Sequence, residues 1–350
     1  MAYSTINKHS DYFNTKLYTG NGGTQSITGV GFQPDWTWIK KRNATRNHNL
    51  FDSVRGVQKA LHTDSNSAEA SSANYLTAFG TDGFSVGSSS NVNASSDTYV
   101  AWNWKAGTTG SGTTTGSGYG KAYSYSVNTT SGFSVITYKG NGTAGHTIPH
   151  HLGATPKLII VKNMDSSQSW LWGMTELGWT KNLHLNETGV EQTSSTIWND
   201  TAPTSTVFTV GTNTKCNTND EDYIAYVFAE KVGYSKFSSY TGNSNAEGPF
   251  VYTGFKPSFV IIKGAVSGDG NAGQSWEMYD NKREGYNSDN DALFPNSTSA
   301  EGTEDRVDFF SNGFRPIINS DGVNDNHSRY IYMAFGQTLV SSNNIPATAR

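Results

Sequence analysis

The chain has little cysteine, little charge and no long apolar run. Cys216 is the single cysteine in 350 residues, which excludes a disulfide within the chain. Charged residues make up 15% of the sequence and the formal net charge is −4, without the clustered basic charge of nucleic-acid-binding proteins. No stretch reaches the roughly 18 apolar residues of a membrane span, and the N-terminal MAYSTINKHSDYF lacks the features of a signal peptide. We therefore expect synthesis in a cytoplasm, no nucleic-acid partner and no membrane insertion.

Aromatic residues and turn-forming residues are abundant instead. Phe, Trp and Tyr make up 13% of the chain, enough to fill small cores, and 37 glycines accompany many Ser, Thr and Asn residues. This composition is typical of short strands joined by turns and unlike the charged, aromatic-poor composition of disordered chains. The length of 350 residues suits two or three domains.

Internal repetition is the strongest signal in the sequence. Each of three copies contains a Tyr-x-Gly-Asn motif, then a proline followed by an apolar run that closes on lysine, then a Tyr-led aromatic segment. The motifs are Tyr18–Asn21, Tyr138–Asn141 and Tyr240–Asn243; the apolar runs follow Pro34, Pro156 and Pro257; the aromatic segments begin at Tyr99, Tyr223 and Tyr330. The common order predicts three copies of one fold, with the three proline-led strands in equivalent sheet positions.

The repeated segments read as β-strands. Val100, Trp102 and Trp104 fall on one face of their segment, and this period of two is typical of a half-buried strand. The runs LIIV and FVII are apolar on both faces, which indicates central strands covered on both sides. We therefore predict an all-β protein of three tandem β-sandwich domains of the jelly-roll or concanavalin-like kind.

Composition also suggests domain boundaries. Residues 106–120, AGTTGSGTTTGSGYG, lack apolar anchors and are predicted to form a flexible linker that protease cleaves first. The predicted domains are 1–105, 121–231 and 232–340, followed by a tail at 341–350. The second and third domains are expected to move as one body, with the first tethered loosely.

No catalytic signature is present, which predicts a protein that is not an enzyme. Cys216 stands in TNTKCNTND without a recognisable motif, and the adjacent His150 and His151 would point to opposite faces of a strand. The acidic clusters at 220–222, 289–291 and 321–325 contain the oxygen ligands that Ca²⁺ prefers, but none fits a twelve-residue calcium loop. No cofactor is expected; calcium binding and solvated turns remain alternative interpretations of these clusters.

Four residues are candidates for ligand or partner contact. Asp52 with Arg55 and Asp280 with Arg283 form matched pairs three residues apart, which suits either a local ion pair or an arginine that meets a ligand. Trp179 and Trp198 have no counterpart in the other copies, so they either pack in a core or stack on a sugar or partner.

The opening MAYSTI, YFNTKLYTGNGGTQSI, QPDWTWIK, NLFDSVRG and TYVAWNWKAG resemble the repeated lectin-like domains of virion proteins in marine tailed phages, including cyanophages. The resemblance is close over residues 1–107 and looser beyond. The second copy lacks the Asp-x-x-Arg-Gly element and has Trp170 and Trp172 in its place. The resemblance implies concanavalin-like or jelly-roll domains in a virion structural protein located on the virion surface.

That resemblance leads to three hypotheses about function. The first is a tail-fibre or surface-appendage component that contacts a glycan of the host envelope, binds other virion proteins and forms a homo-oligomer, with a trimer favoured. The second is a capsid-decorating or tail-scaffold protein without a ligand. The third is a polysaccharide depolymerase, which requires a pair of carboxylates about 5–10 Å apart in a cleft.

Within the first hypothesis, the loops of the second and third copies are expected to make the host or assembly contacts. The spacing between the proline and the aromatic strand is greatest in the third copy, where the polar stretch 286–304 has the character of an exposed insertion. The first copy is then expected to dock on the virion.

Overall fold

The computed structural model describes residues 4–268, 273–283, 287 and 290–340. The predicted tail at 341–350 and residues 286, 288 and 289 of the predicted insertion lie outside the described residues. We call residues 4–105 the first repeat, 121–231 the second repeat, 232–340 the third repeat and 106–120 the connecting arm.

The regular secondary structure of the described chain is almost entirely β-strand, which confirms the all-β prediction. The first repeat contains a 3₁₀ turn (His9–Asp11), β1 (Phe13–Thr19), β2 (Gln25–Thr28), β3 (Trp36–Lys41), β4 (Asn49–Asp52), β5 (Lys59–Ala60), β6 (Ala70–Ser71), β7 (Leu76–Gly80), β8 (Gly83–Val86) and β9 (Thr98–Trp104). The arm contains β10 (Thr108–Thr113) and β11 (Thr115–Gly116). The second repeat contains β12 (Ala122–Asn128), β13 (Phe133–Lys139), β14 (His146–Pro149), β15 (Leu158–Asn163), β16 (Leu171–Met174), β17 (Lys181–His184), β18 (Gln192–Thr193), α1 (Ser195–Trp198), β19 (Val207–Val210), α2 (Thr214–Asn217) and β20 (Asp222–Phe228). The third repeat contains β21 (Ser235–Thr241), β22 (Val251–Tyr252), β23 (Phe255–Val266), β24 (Glu277–Asp280), β25 (Val307–Phe310), β26 (Gly313–Pro316) and β27 (Arg329–Thr338). Neither four-residue helix is long enough to cross a membrane, and no other described helix is.

The strand order is equivalent in the three repeats. The larger sheets run β1-β9-β3-β4 in the first repeat and β21-β27-β23-β24 in the third, and the second repeat contains β13-β20-β15-β16 within an eight-stranded sheet. Each proline-led strand, β3, β15 or β23, therefore lies beside the aromatic strand of its own repeat, as predicted. A smaller three-stranded sheet accompanies each larger one, in the orders β2-β8-β7, β11-β14-β19 and β22-β26-β25.

The prediction of a flexible linker at 106–120 is wrong for most of its length. β10 pairs with β12 along its whole length, and β11 pairs with β14 of the smaller sheet. Gly110 and Gly112 lie opposite Tyr125 and Tyr123, and a Cβ on these glycines would lie 2.6 Å and 2.8 Å from the tyrosine hydroxyls. The glycines therefore make room for aromatic rings on the neighbouring strand, a role that composition alone does not distinguish from flexibility.

A larger side chain at Gly112 is expected to detach the arm. In Gly112→Val, the added carbon atoms would overlap the ring of Tyr123, so β10 should leave β12 while the rest of the fold stays intact. Amide hydrogen exchange should then rise over residues 108–116 and protease should cleave there. Ser111→Val, at an exposed position of the same strand whose side chain does not lie opposite an aromatic ring, is the control. Equal protection in the wild type and in Gly112→Val would contradict this account.

Four hydrophobic clusters hold the molecule together. Each repeat has one cluster that draws on its larger and smaller sheets; in the first repeat it joins Ile39 and Tyr99 to Ile27 and Phe84. The fourth, which we call the central cluster, draws on the larger sheets of all three repeats and contains seven of the nine tryptophans. The expectation of a loosely tethered first repeat is therefore wrong, because its apolar strand faces pack directly against the other two repeats.

Stacked and tilted aromatic rings connect each pair of repeats within the central cluster. The ring centroid of Trp36 lies 4.4 Å from that of Tyr226, linking the first repeat to the second. Trp104 and Phe259, 5.5 Å apart, link the first to the third, and Phe228 and Phe335, 5.8 Å apart, link the second to the third. Replacing a buried tryptophan by alanine typically costs about 3–5 kcal/mol, so these contacts are a major source of stability.

The contacts between repeats follow a cyclic pattern that indicates a pseudo-threefold axis. In each case a glutamate N–H donates to a carbonyl oxygen two residues after the buried lysine of the next repeat. The three hydrogen bonds run from Glu69 to Met164 (2.8 Å), from Glu191 to Ala265 (2.9 Å) and from Glu301 to Arg42 (2.8 Å). The first repeat thus contacts the second, the second contacts the third, and the third contacts the first in the same manner.

The three lysines that close the proline-led strands are also equivalent and buried. Lys40, Lys162 and Lys263 are each 0% exposed. Lys40 Nζ donates to the Thr298 carbonyl of the third repeat at 3.1 Å, and Lys263 Nζ donates to the Thr188 carbonyl of the second at 2.7 Å. Burial lowers the pKa of Lys162 and of Lys263 to about 7, and that of Lys40 to about 8.

These lysines predict that stability rises with pH above neutrality. Between a folded-state pKa of about 7 and the ordinary lysine value of 10.5, the unfolded chain binds more protons than the folded chain. The free energy of unfolding should therefore increase with pH, by up to about 1.4 kcal/mol per pH unit for each such lysine. Urea unfolding between pH 7.5 and 9 measures the slope, which Lys162→Met should reduce. Lys8→Met, which removes a charge from a side chain that is 67% exposed, should leave it unchanged; an equal slope in Lys162→Met would contradict the assignment.

Candidate ligand groove between the first and second repeats

The two arginines predicted as ligand contacts are buried in ion pairs. Arg55 Nε donates to Asp52 at 2.5 Å, and its side chain is 1% exposed. Arg283 Nε donates to Asp280 at 2.7 Å, and its side chain is 2% exposed. Of the two interpretations of these pairs, the structure shows the local ion pair, and burial keeps both guanidinium groups from solvent.

The two carboxylates also reach across the repeat boundaries. The Tyr226 hydroxyl of the second repeat donates to Asp52 at 2.9 Å, and the Trp102 indole of the first donates to Asp280 at 3.0 Å. At the equivalent positions of the remaining boundary the chain has Met174 and Met333, both in the central cluster. At the boundary between the second and third repeats, apolar side chains therefore stand where the other two boundaries have the carboxylate and its donor.

The predicted tryptophans differ in exposure. Trp198 is 1% exposed and belongs to the hydrophobic cluster of the second repeat, so its role is core packing. Trp179 is half-buried, and its ring meets that of Trp198 edge-on with the centroids 5.6 Å apart. Contact of Trp179 with a partner stays a prediction.

The remaining chemical candidates are also structural in character. Cys216 is buried, and burial raises the pKa of its thiol to about 12, which leaves no thiolate at neutral pH. His150 is buried between the Thr204 carbonyl and the Leu152 N–H, while His151 stacks on Tyr125 with the ring centroids 3.8 Å apart. Among the described residues, no group of three or more His, Cys, Asp or Glu side chains is arranged to hold a metal ion.

A groove that the sequence did not predict runs along the boundary between the first and second repeats. Three adjoining cavities have volumes of about 380, 140 and 350 Å³. Ser124 lines the first and second, Thr137 and Asp222 line the second and third, and Val54 lines the first and third. The connecting arm and β12 widen the sheet of the second repeat at this boundary, so the groove extends beyond the direct contact of the two repeats. Its combined size suits a ligand larger than a single small molecule.

The first end of the groove contains a buried carboxylate and an aromatic ring. Asp35, 3% exposed, lies directly after Pro34 and lines the cavity together with Tyr125, Gln33 and Thr109. Tyr125 is half-buried and packs against the imidazole of His151, which fixes its ring. A fixed ring beside hydroxyl, amide and carboxylate groups can offer both an apolar face and hydrogen bonds to a polar ligand.

The other end of the groove is lined by ion pairs. Lys139 Nζ lies 2.9 Å from Asp222, and the hydrogen bond to this carboxylate raises the pKa of Lys139. Glu69 lies 2.9 Å from Arg55 Nη1, and Asp165 accepts a hydrogen bond from the Asp222 N–H at 2.7 Å. Glu69, Asp165 and Asp222 line a cavity of about 350 Å³, and Lys139 lines the adjoining cavity of about 140 Å³. These four side chains are available to a polar ligand, whereas the Arg55 side chain is 1% exposed.

The other two boundaries are built differently at the positions that correspond to the groove. Between the second and third repeats, Arg329 occupies the position of Asp222, bonds Glu191 and donates to the Glu176 carbonyl at 2.6 Å, and a cavity of about 20 Å³ remains there. Between the third and first repeats, Arg42 pairs with Glu301 at 2.7 Å beside a single open cleft of about 430 Å³, which has no adjoining cavity among those described. The long groove is therefore a feature of the first boundary among those described.

Comparison with known proteins gives one match. A family model described as "Domain of unknown function (DUF7483)" matches residues 8–338. The chain belongs to this family. No curated protein and no solved structure shows significant similarity to the chain. The DUF7483 match spans all three repeats and the connecting arm.

Proposed function

We propose that the chain is a structural protein of a virion, without catalytic activity, that contacts a glycan of the host envelope through the groove between the first and second repeats. The observation that carries the proposal is this long polar groove with a fixed tyrosine at one end. The resemblance of residues 1–107 to phage virion proteins supports the virion setting, and the same resemblance supports a position on a tail fibre or surface appendage.

We further propose that each repeat is a β-sandwich of the jelly-roll or concanavalin-like kind. A larger sheet and a three-stranded sheet in each repeat, joined by a hydrophobic cluster, support this assignment. The central cluster and the buried ion pairs then make the three sandwiches one rigid body. A rigid body suits a protein that carries load between a particle and a surface.

The chemistry of the groove favours a saccharide over an apolar ligand. Its walls combine hydroxyl groups of Ser124, Thr109 and Thr137 with carboxylates and the Tyr125 ring. Sugars present hydroxyl groups for hydrogen bonds and apolar C–H faces that stack on aromatic rings. A groove of several adjoining cavities also matches the repeating form of an oligosaccharide.

Glycan binding by single-residue variants tests the proposal. We expect Tyr125→Ala and Ser124→Arg, which respectively remove the ring and fill the shared wall, to lower the affinity for host-surface glycan about tenfold or more. Tyr119→Ala is the matched control, because this tyrosine of the connecting arm is 89% exposed and does not line the groove. Urea unfolding of each variant separates loss of the site from loss of the fold.

The results also separate the other hypotheses. Sugar products released in the same incubations would identify a depolymerase. If no glycan binds and the chain associates only with other virion proteins, the capsid-decorating or scaffold role replaces the proposal. The homotrimer stays a prediction; analytical ultracentrifugation distinguishes it from a monomer of 37.9 kDa, whose own three repeats already form a closed arrangement.

A further inference from the structure

The Asp35 carboxylate is buried, and all the groups that donate hydrogen bonds to it are neutral. Its Oδ1 accepts hydrogen bonds from the hydroxyls of Ser53 (2.7 Å) and Ser126 (3.1 Å), and its Oδ2 accepts one from the Ala106 N–H (2.8 Å). Among the described ion pairs, none involves this carboxylate. Burial raises the pKa of Asp35; the hydrogen bonds oppose the shift, and the charge of Lys105 opposes it least.

The cavity beside Asp35 offers space for the missing cation. About 380 Å³ lies between this carboxylate, the Tyr125 ring and the exposed side chain of Gln33. A cation in this cavity would form a charge-assisted hydrogen bond with Asp35, and it would also lie near an aromatic ring. The equivalent positions of the other repeats are Lys157 and Ser258, so the fold itself does not require a carboxylate here.

We propose that this end of the groove binds the protonated amine of an amino sugar. The inference rests on the proposed glycan-binding function and adds the class of sugar. The ammonium group meets Asp35, the sugar ring lies against Tyr125, and neighbouring hydroxyls bond to Gln33 and Thr109. Neutral sugars lack the charge that compensates the buried carboxylate and bind more weakly at this end.

A structural role for Asp35 accounts for part of the same geometry. Its bonds to Ala106 and Ser126 join the first repeat to the arm and to the second repeat. Such a role requires an acceptor at this position and not a negative charge, because the three donors are neutral. Asp35→Asn removes the charge and keeps the oxygen that accepts from Ser53 and Ser126, but its amide nitrogen cannot accept from the Ala106 N–H. Urea unfolding therefore accompanies the binding measurement on this variant, and a second variant that leaves Asp35 in place separates the two roles.

Calorimetry with the full-length chain tests the proposal. The two ligands are oligosaccharides of equal length, one of glucosamine and one of N-acetylglucosamine. The pH is mildly acidic, so that the free amine of glucosamine is protonated. The wild type should prefer the glucosamine oligomer about tenfold or more. Asp35→Asn should lose that preference. Asp82→Asn, which neutralises an exposed carboxylate bonded to Gly29 and Gly31 away from the groove, should keep it.

Gln33→Lys provides a second variant that leaves Asp35 and its hydrogen bonds in place. An ammonium group introduced on this exposed side chain should occupy the cavity and abolish the preference as well. Equal binding of the two oligomers by the wild type, or a preference that survives in Asp35→Asn and Gln33→Lys, overturns the inference. If only neutral glycans bind and binding depends on Tyr125, the inference fails and the glycan-binding function stands; if no glycan binds, both fail.

Discussion

Asp280→Ala is expected to lower the free energy of unfolding by about 3 kcal/mol, the lower end of the range for breaking a buried ion pair, because it leaves the buried Arg283 charge with Glu301 as its remaining carboxylate partner. The Arg283 side chain is 2% exposed and the Asp280 side chain is 0% exposed, so solvent does not replace the lost carboxylate. The Trp102 indole at the boundary with the first repeat loses its acceptor in the same variant. Urea unfolding at neutral pH measures the change.

The second repeat supplies the matched control for this prediction. Met174 and Leu177 occupy the positions of Asp280 and Arg283 there, and both are buried in the central cluster. The double variant Asp280→Met with Arg283→Leu replaces the whole ion pair with that apolar pair, and replacing a buried ion pair in this way is often close to neutral. Glu301 keeps its ion pair with Arg42. A double variant as unstable as Asp280→Ala would show that the ion pair itself stabilises the fold.

A fragment of residues 1–107 is expected not to persist as a folded monomer. Trp36, Trp38, Trp102 and Trp104 are at most 1% exposed in the whole chain, and all four belong to the cluster shared with the other repeats. Exposing each large apolar side chain costs about 1.5–3 kcal/mol, whereas a whole domain is stable by about 5–15 kcal/mol. For the four tryptophans the loss is therefore about as large as the whole stability of a domain.

Ultracentrifugation and circular dichroism of the fragment and of the full chain measure this effect. The fragment should be unfolded, or it should associate with further copies of itself that cover the exposed tryptophans. A monomeric fragment that unfolds cooperatively, with a midpoint near that of the full chain, would restore the picture of a first repeat tethered by a flexible linker.

The strands could be predicted from the sequence, but the packing of the three repeats against one another could not. Val100, Trp102 and Trp104 indicate one buried strand face, and the LIIV run at 158–161 indicates cover on both faces. A pattern of this kind shows that a face is covered and does not show by what. The cover is the smaller sheet of the same repeat on one side and the other two repeats on the opposite side.

The candidate residues show the same division between local and long-range information. The Asp-x-x-Arg spacing correctly suggested an ion pair, because both partners lie within one turn. The groove depends on Asp35 of the first repeat meeting Tyr125 of β12, ninety positions later, after the arm has folded back. Asp35 lies in the proline-led run of the first repeat and Tyr125 lies in no motif, so only the three-dimensional arrangement brings them together.

The cyclic packing of three unequal copies has a consequence for valency. A trimer of identical chains presents each surface three times, so a ligand site on one subunit necessarily occurs on all of them. Here the three boundaries differ in their residues: one holds the long groove, one is filled by Arg329, and one has an open cleft beside the ion pair of Arg42 with Glu301. If the groove binds a glycan as proposed, each chain binds it with a stoichiometry of one, and a substitution at one boundary leaves the other two unaltered. Under the same proposal, avidity for a surface comes from the number of chains that act together.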